Sequence, residues 1–282
     1  MAAKRILIAL AHPDDESFGL GGVIVKYTRA GTQVDYICAT NGNRGTVAPE
    51  FLEKYRSVEE VRYAELDCAS AVLGLRQVYK LDYNDSGMMG SPENTLPGAL
   101  WSADEDEVTG KIVAIMREVQ PQVVITFDPF GGYGHPDHIF MHRATTRAFH
   151  AAGVPAQFPG TGAPYAPQKL YYSAFPKTLM RLFLLQMRLR GQDPRKMGVN
   201  QDLDFLEVYE NALDPTTRIT VGQFLREYEA ASNCHASQLS VRDRTPRLMQ
   251  WLLFRQQGLV RACPPPQPGE PLERDLFRGV VL

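Results

Sequence analysis

Between residues 4 and 152, short apolar runs alternate with longer segments of helical periodicity. Residues 5–11 (RILIALA), 33–40, 77–81 and 122–127 read as strands, the first bounded by His12-Pro13. Runs this short with no polar face are buried on both sides, as in a parallel sheet. Residues 18–30, 50–73, 105–119 and 136–152 have helical spacing. Gly31 and Gly74 stop two of these helices and Pro136 opens the last. This rhythm predicts an α/β fold with a doubly wound, mostly parallel Rossmann-like sheet. Residues 1–153 are expected to form the catalytic core. Residues 154–282 are expected to form a smaller mixed part that completes the same domain and the substrate pocket. There, 169–175, 205–209 and 218–221 read as strands, 178–190, 224–239 and 247–257 as helices, and 263–269 as a Pro-rich connector.

The balance of 30 Lys+Arg against 32 Asp+Glu leaves a net charge of −2, which argues against a nucleic-acid partner. The four Cys, at 38, 68, 234 and 263, are scattered with no CxxC pair. They read as thiols, not as a zinc site or a disulfide framework. Asp14, Asp15 and Glu16 interrupt the N-terminal apolar run, and no window approaches 18 uncharged apolar residues. A cytoplasmic protein with no stable membrane anchor is therefore expected. The apolar 178–190 helix reads first as core, then as the interface of a homo-oligomer, then as a membrane-surface contact. Gly19-Leu20-Gly21-Gly22 fails the dinucleotide fingerprint, because position 24 is Ile and the glycines come too late after the strand. This disfavours a nucleotide-dependent oxidoreductase.

The chemistry is concentrated in two clusters. His12-Pro13-Asp14-Asp15-Glu16 follows the first strand, and Gly134-His135-Pro136-Asp137-His138 lies beyond the fourth. Ligands of open α/β sheets bind outside the carboxyl ends of the strands, where both clusters fall. His12, Asp15 and His138 form a plausible His₂-carboxylate site for zinc, with ferrous iron as the alternative. Asp14, next to a ligand but projecting differently, is free to act as general base. His135 as an imidazolium suits oxyanion stabilisation and protonation of a leaving amine, with Asp137 holding its ring. The plainer alternative is that Asp14 or Asp15 merely caps the following helix.

Ala11-His12-Pro13-Asp14-Asp15-Glu16 together with Gly134-His135-Pro136-Asp137-His138 resembles the PIG-L/LmbE family of metal-dependent N-acetylglucosaminyl deacetylases. The block from Phe127 to His138 and the segment Asn84-Asp85-Ser86-Gly87-Met88 are similar to its mycothiol-pathway branch; the bacillithiol-pathway members share the two core motifs. The resemblance is dense over 5–150 and sparser beyond, where Cys234-His235-Ala236-Ser237-Gln238 is similar to a family segment. It implies metal ligation by His12, Asp15 and His138, and Asp14 as the base. It further implies His135 as stabiliser or acid, Tyr133 as a carbonyl-polarising group, and Arg62 and Asp85 as substrate contacts. Asn41 and Arg44, in the loop after the second strand, join the candidate substrate contacts. The family often has an acidic residue in that loop, where this chain reads Gly42-Asn43-Arg44-Gly45.

The expected function is hydrolysis of the N-acetyl group of an N-acetylglucosamine conjugate, a small molecule with an inositol or malate aglycone. The rivals are deacetylation of another N-acetyl sugar and a catalytically silent sugar-binding module. His142 and His150 read as bystanders. His235 reads equally as helix packing or pocket lining.

Overall fold

The computed structural model describes residues 3–175, 177–197, 203–239 and 254–282. Its strands are β1 (Arg5–Leu10), β2 (Gln33–Thr40), β3 (Gln77–Tyr83), β4 (Val123–Thr126), β5 (Lys169–Ala174), β6 (Thr217–Thr220) and β7 (Gln256–Cys263). They form one sheet in the order β3-β2-β1-β4-β5-β7-β6. The strands from β3 to β5 run parallel, and β7 is antiparallel to both β5 and β6. The expected α/β class and mostly parallel sheet are therefore observed, with the mixed part at one edge.

The helices are α1 (Asp15–Arg29), α2 (Pro49–Leu52), α3 (Val58–Leu73), α4 (Glu105–Val119), α5 (Gly131–Gly134), α6 (Pro136–Ala151), α7 (Lys177–Leu189), α8 (Phe205–Asn211) and α9 (Leu225–Cys234). Successive residues of β1 from Ile6 to Leu10 are all buried, so both faces of that strand are covered. The layers above and below follow from this: α1, α3 and α9 pack together, as do α4 and α6. Strand order reverses at β1, whose neighbours are β2 and β4. The crevice beyond the carboxyl ends of β1 and β4 is the switch point at which such sheets bind ligands.

Four expectations are corrected. The helix over 50–73 is broken: α2 ends at Leu52, and α3 restarts behind Ser57, whose side chain accepts a hydrogen bond from Glu60 N–H. Residues 205–209 are helical, not extended, because Asp204 caps α8 through the N–H groups of Leu206 and Glu207. Of the helix expected over 247–257, residues 247–253 lie outside the described residues, and Gln256 and Gln257 belong to β7. The cysteines are not all thiols: Cys68 of α3 and Cys234 of α9 form a disulfide across 166 residues. Helix packing supplies that proximity, and no local spacing could announce it. Cys38 and Cys263 are free.

Reduction of the Cys68–Cys234 bond releases a long loop, whose closure is worth about 5 kcal/mol in the chain-entropy limit and about 2–4 in practice. Thermal unfolding with and without dithiothreitol is expected to show a Tm lower by several degrees in the reduced form. Equal Tm values would show that the bond adds nothing to the packing of α3 on α9.

On α7 only one stripe is covered: Met180 and Met187 are buried, whereas Leu182, Phe183, Leu185 and Leu189 stay exposed. Core burial thus accounts for one side of that helix. Among the described residues no helix is long and apolar enough to cross a membrane.

Candidate metal centre

His12 leaves the end of β1 and His138 lies in the first turn of α6, beyond β4. The sheet order brings them together: His12 Nδ1 is 3.1 Å from His138 Nε2. Asp15, in the first turn of α1, completes the group, at 3.5 Å from His12 Nδ1 and 3.4 Å from His138 Nε2. Donors bound to one tetrahedral zinc at about 2.0–2.1 Å lie about 3.3 Å apart. The two imidazole nitrogens have that spacing, and Asp15 faces them with one carboxylate oxygen each, Oδ2 towards His12 and Oδ1 towards His138. Two other groupings share these residues: His12, His135 and His138, and His12, Asp85, His135 and Asp137, each offering one atom per residue within 4.8 Å of one another.

The outer partners of the two imidazoles fit the tighter set. His12 Nε2 is 3.1 Å from Asp137 Oδ2, and His138 Nδ1 is 3.0 Å from the Gly131 carbonyl. If each of these nitrogens carries the proton, the facing nitrogens are left with free lone pairs. Ligating histidines are held by carboxylates and carbonyls in this manner. Gly131 has φ +67, and a Cβ there would lie 2.8 Å from both His138 Cβ and Ile139 N. Only glycine lets the loop carbonyl approach the ring so closely. Asp15 also accepts the N–H groups of Ala11 and His12, which fixes its carboxylate. Burial would lower the pKa of His12, but Asp85, Asp137 and Asp15 outweigh it and raise it well above its usual value, so the carboxylates favour positive charge here, and a cation would take the place of the ring's second proton. A buried, carboxylate-rich cluster of this kind is suited to a cation, and the donor set fits zinc or ferrous iron.

Asp14 adopts φ +138, a conformation costly for a residue with a Cβ. It makes no side-chain cap to α1. Instead its backbone N–H donates to Glu16 Oε2 at 3.0 Å, and its Oδ2 accepts from Arg62 at 3.1 Å. Burial lifts its pKa to about 7, against the opposing pull of Arg62. A carboxylate poised near neutrality in a cleft suits proton transfer.

His135 caps α6, its Nδ1 accepting from Asp137 N–H at 3.2 Å. The ring proton therefore sits on Nε2, which points towards Asp85 at 3.9 Å. Burial, with His12 and His138 nearby, drives its pKa well below the usual value. Both the cap and this shift favour a neutral ring donating from Nε2 over the imidazolium expected from the sequence. Asp137 thus holds the His135 tautomer through its backbone N–H, while its carboxylate meets His12 and Ser86.

A polar cavity of about 620 Å³ opens beside this cluster. Asp14, Arg44, Arg62, Asp85, Tyr133 and His135 all border it. Tyr133 overhangs the histidines, its ring 4.9 Å from that of His138. Asp85 is closer to the cluster than a sugar contact requires, with its Oδ1 3.6 Å from His12 Nε2. Burial would raise its pKa, but His12 and His135 hold it below the usual carboxylate range. Arg62 is buried, and its guanidinium serves Asp14 and the Pro13 carbonyl. Asn41 is spent within its loop: it donates to Asn84 and accepts from Asn43 N–H. Arg44 stays exposed at the rim.

Several supporting residues lie in or near the motif segments but were given no role by the sequence. Glu16 is fully buried, bonded to Ser17 Oγ and, at 2.7 Å, to His235 Nε2. Ser86 donates twice to Asp137. Glu65 accepts from Ser237, and Gln238 borders the polar cavity. His235 is thus neither plain helix packing nor pocket lining; it is a buried strut. His142 bonds the Phe127 carbonyl, and His150 is exposed. Asp137→Asn is expected to weaken metal affinity by about 10–100-fold, measured by competition with a chromophoric chelator. Wild-type affinity would show that Asp137 does not orient His12.

The fold is a Rossmann-like sheet with a carboxylate–imidazole cluster at its switch point that could hold a metal ion. Residues 7–149 match the family model described as PIG-L, GlcNAc-PI de-N-acetylase. The chain is 37% identical to the 1D-myo-inositol 2-acetamido-2-deoxy-alpha-D-glucopyranoside deacetylase of Streptomyces avermitilis, over 99% of this chain and 98% of that protein. It is 36% identical to the protein of the same name from Streptomyces scabiei, over 98% and 90%. Its fold matches N,N'-diacetylchitobiose deacetylase from Pyrococcus horikoshii with a TM-score of 0.63 at 18% identity, over 92% of this chain and 84% of that one. The chain belongs to the PIG-L family of deacetylases.

Proposed function

We propose that this protein hydrolyses the N-acetyl group of a glucosamine–inositol conjugate, with His12, Asp15 and His138 holding a zinc ion. The observation that carries the reading is the convergence of His12, His138 and the Asp15 carboxylate, with contacts of 3.1–3.5 Å, beside Asp14 in a strained backbone conformation. Similarity over nearly the whole chain to relatives named for that substrate supports the aglycone. A divalent cation held by these donors supplies Lewis acidity to a carbonyl oxygen and acidifies water.

The chain's own residues do the rest. Asp14 takes a proton from the attacking water. His135 Nε2–H and the Tyr133 hydroxyl donate to the oxyanion that develops on the acyl oxygen. The C–N bond breaks, Asp14 passes its proton to the amine, and acetate departs. Arg62 and Glu16 position Asp14, and Asp137 positions His12. Arg44 and Asp85, which both line the polar cavity, contact the sugar or its aglycone. Residues 154–282 complete the pocket through Gln238.

The test is an amine-release screen on the zinc-loaded protein, using N-acetylglucosamine conjugates of inositol, malate and simple alkyl groups. The inositol conjugate is expected to be cleaved fastest. A preference for malate or alkyl conjugates would reassign the aglycone, and no release from any of them would leave only a sugar-binding role.

A further inference from the structure

We propose that the enzyme also accepts N-acyl chains longer than acetyl, seated in a second, apolar cavity of about 410 Å³ across the donor cluster from the polar one. This rests on the hydrolase reading above. Asp14 and Tyr133 line both cavities, so the reacting centre is the wall between them. On the apolar side Asp15 and His138 stand at the wall, and Leu10, Leu20, Phe127 and Leu179 line the space beyond.

An amide carries its two substituents on opposite sides of the reacting bond, glucosamine on nitrogen and the acyl tail on carbon. With the sugar hydroxyls in the polar cavity and the carbonyl at the cluster, the tail leaves towards the apolar side. An acetyl methyl, close in size to one water at roughly 30 Å³, fills less than a tenth of that space. The remainder is large enough for several more carbons and has the lining to desolvate them. The chemistry is unchanged: the water oxygen bonds to the acyl carbon, the C–N bond breaks, the amine takes the proton, and the longer carboxylate leaves.

The experiment measures amine release by the zinc-loaded enzyme from N-acetyl, N-butanoyl and N-hexanoyl glucosaminyl-inositol. Burial of each added methylene is expected to raise kcat/KM about fourfold. Gly19 borders the cavity, and a Cβ added there meets nothing within 4 Å. Gly19→Leu is expected to keep acetyl turnover and lose the gain on hexanoyl. Efficient acetyl turnover with falling rates on the longer chains overturns the proposal and leaves the deacetylase reading standing. A hexanoyl gain that survives in Gly19→Leu overturns the cavity as the seat of the chain. Failure on every substrate, acetyl included, overturns the deacetylase reading itself. The wild-type chain-length series decides the question even if the variant does not fold.

Discussion

Asp14→Asn is expected to lower kcat by about 10²–10⁴-fold, the usual contribution of a positioned proton acceptor, with metal content unchanged. The amide is close in shape to the carboxylate and can still accept from Arg62, so the backbone strain and the neighbouring donors are retained. It cannot take a proton from water, which is the single property removed. The check is steady-state acetate release together with elemental analysis of the same preparation. Acetate release at the wild-type rate would remove Asp14 from the chemistry. A parallel loss of metal would mean that Asp14, and not only its neighbours, holds the ion.

His138→Ala is expected to release the metal. The substitution leaves His12 and Asp15, two donors of the three, and opens the space where the ring stacks on Phe127 at 3.9 Å. The loss of affinity should exceed the roughly 10–100-fold expected from removing an outer partner. Metal content after dialysis gives the direct readout, and activity should fall with it. Near-UV circular dichroism separates metal loss from unfolding, as does a His138→Gln variant that restores bulk without the imidazole. Full metal content in His138→Ala would sink the proposed ligand set.

Much of the fold was legible because its determinants are local. The run ending in His12-Pro13, the glycine stops at Gly31 and Gly74, and the proline opening α6 each act within one element. Strand ends of a parallel sheet converge by topology, so clusters after β1 and β4 could be read as one site although they lie more than a hundred residues apart. The supporting residues were not legible in this way. Glu16 finds His235 across 219 residues, and Ser86 finds Asp137 across 51. Nothing in the spacing of either pair announces a bond. The Cys68–Cys234 link has the same origin in helix packing. Asp137 holds the His135 ring through its backbone, as adjacency suggests, but adjacency could not show that its carboxylate faces His12. The helical state of α8 turned on one cap, Asp204, beneath a strand-like run of side chains.

The strut between Glu16 and His235 also bears on how the protein is made. The two residues enter the nascent chain far apart in time, and Asp14 hangs from the Glu16 carboxylate through its own N–H. Until α9 docks, that carboxylate lacks its buried imidazole partner, and an unpaired buried charge does not persist. The β1–β4 platform can assemble early in synthesis, from contacts among its own strands. The catalytic geometry is then a late event, set when the end of α9 arrives. A substitution that undocks the end of α9 is then expected to lower turnover before it disturbs the sheet.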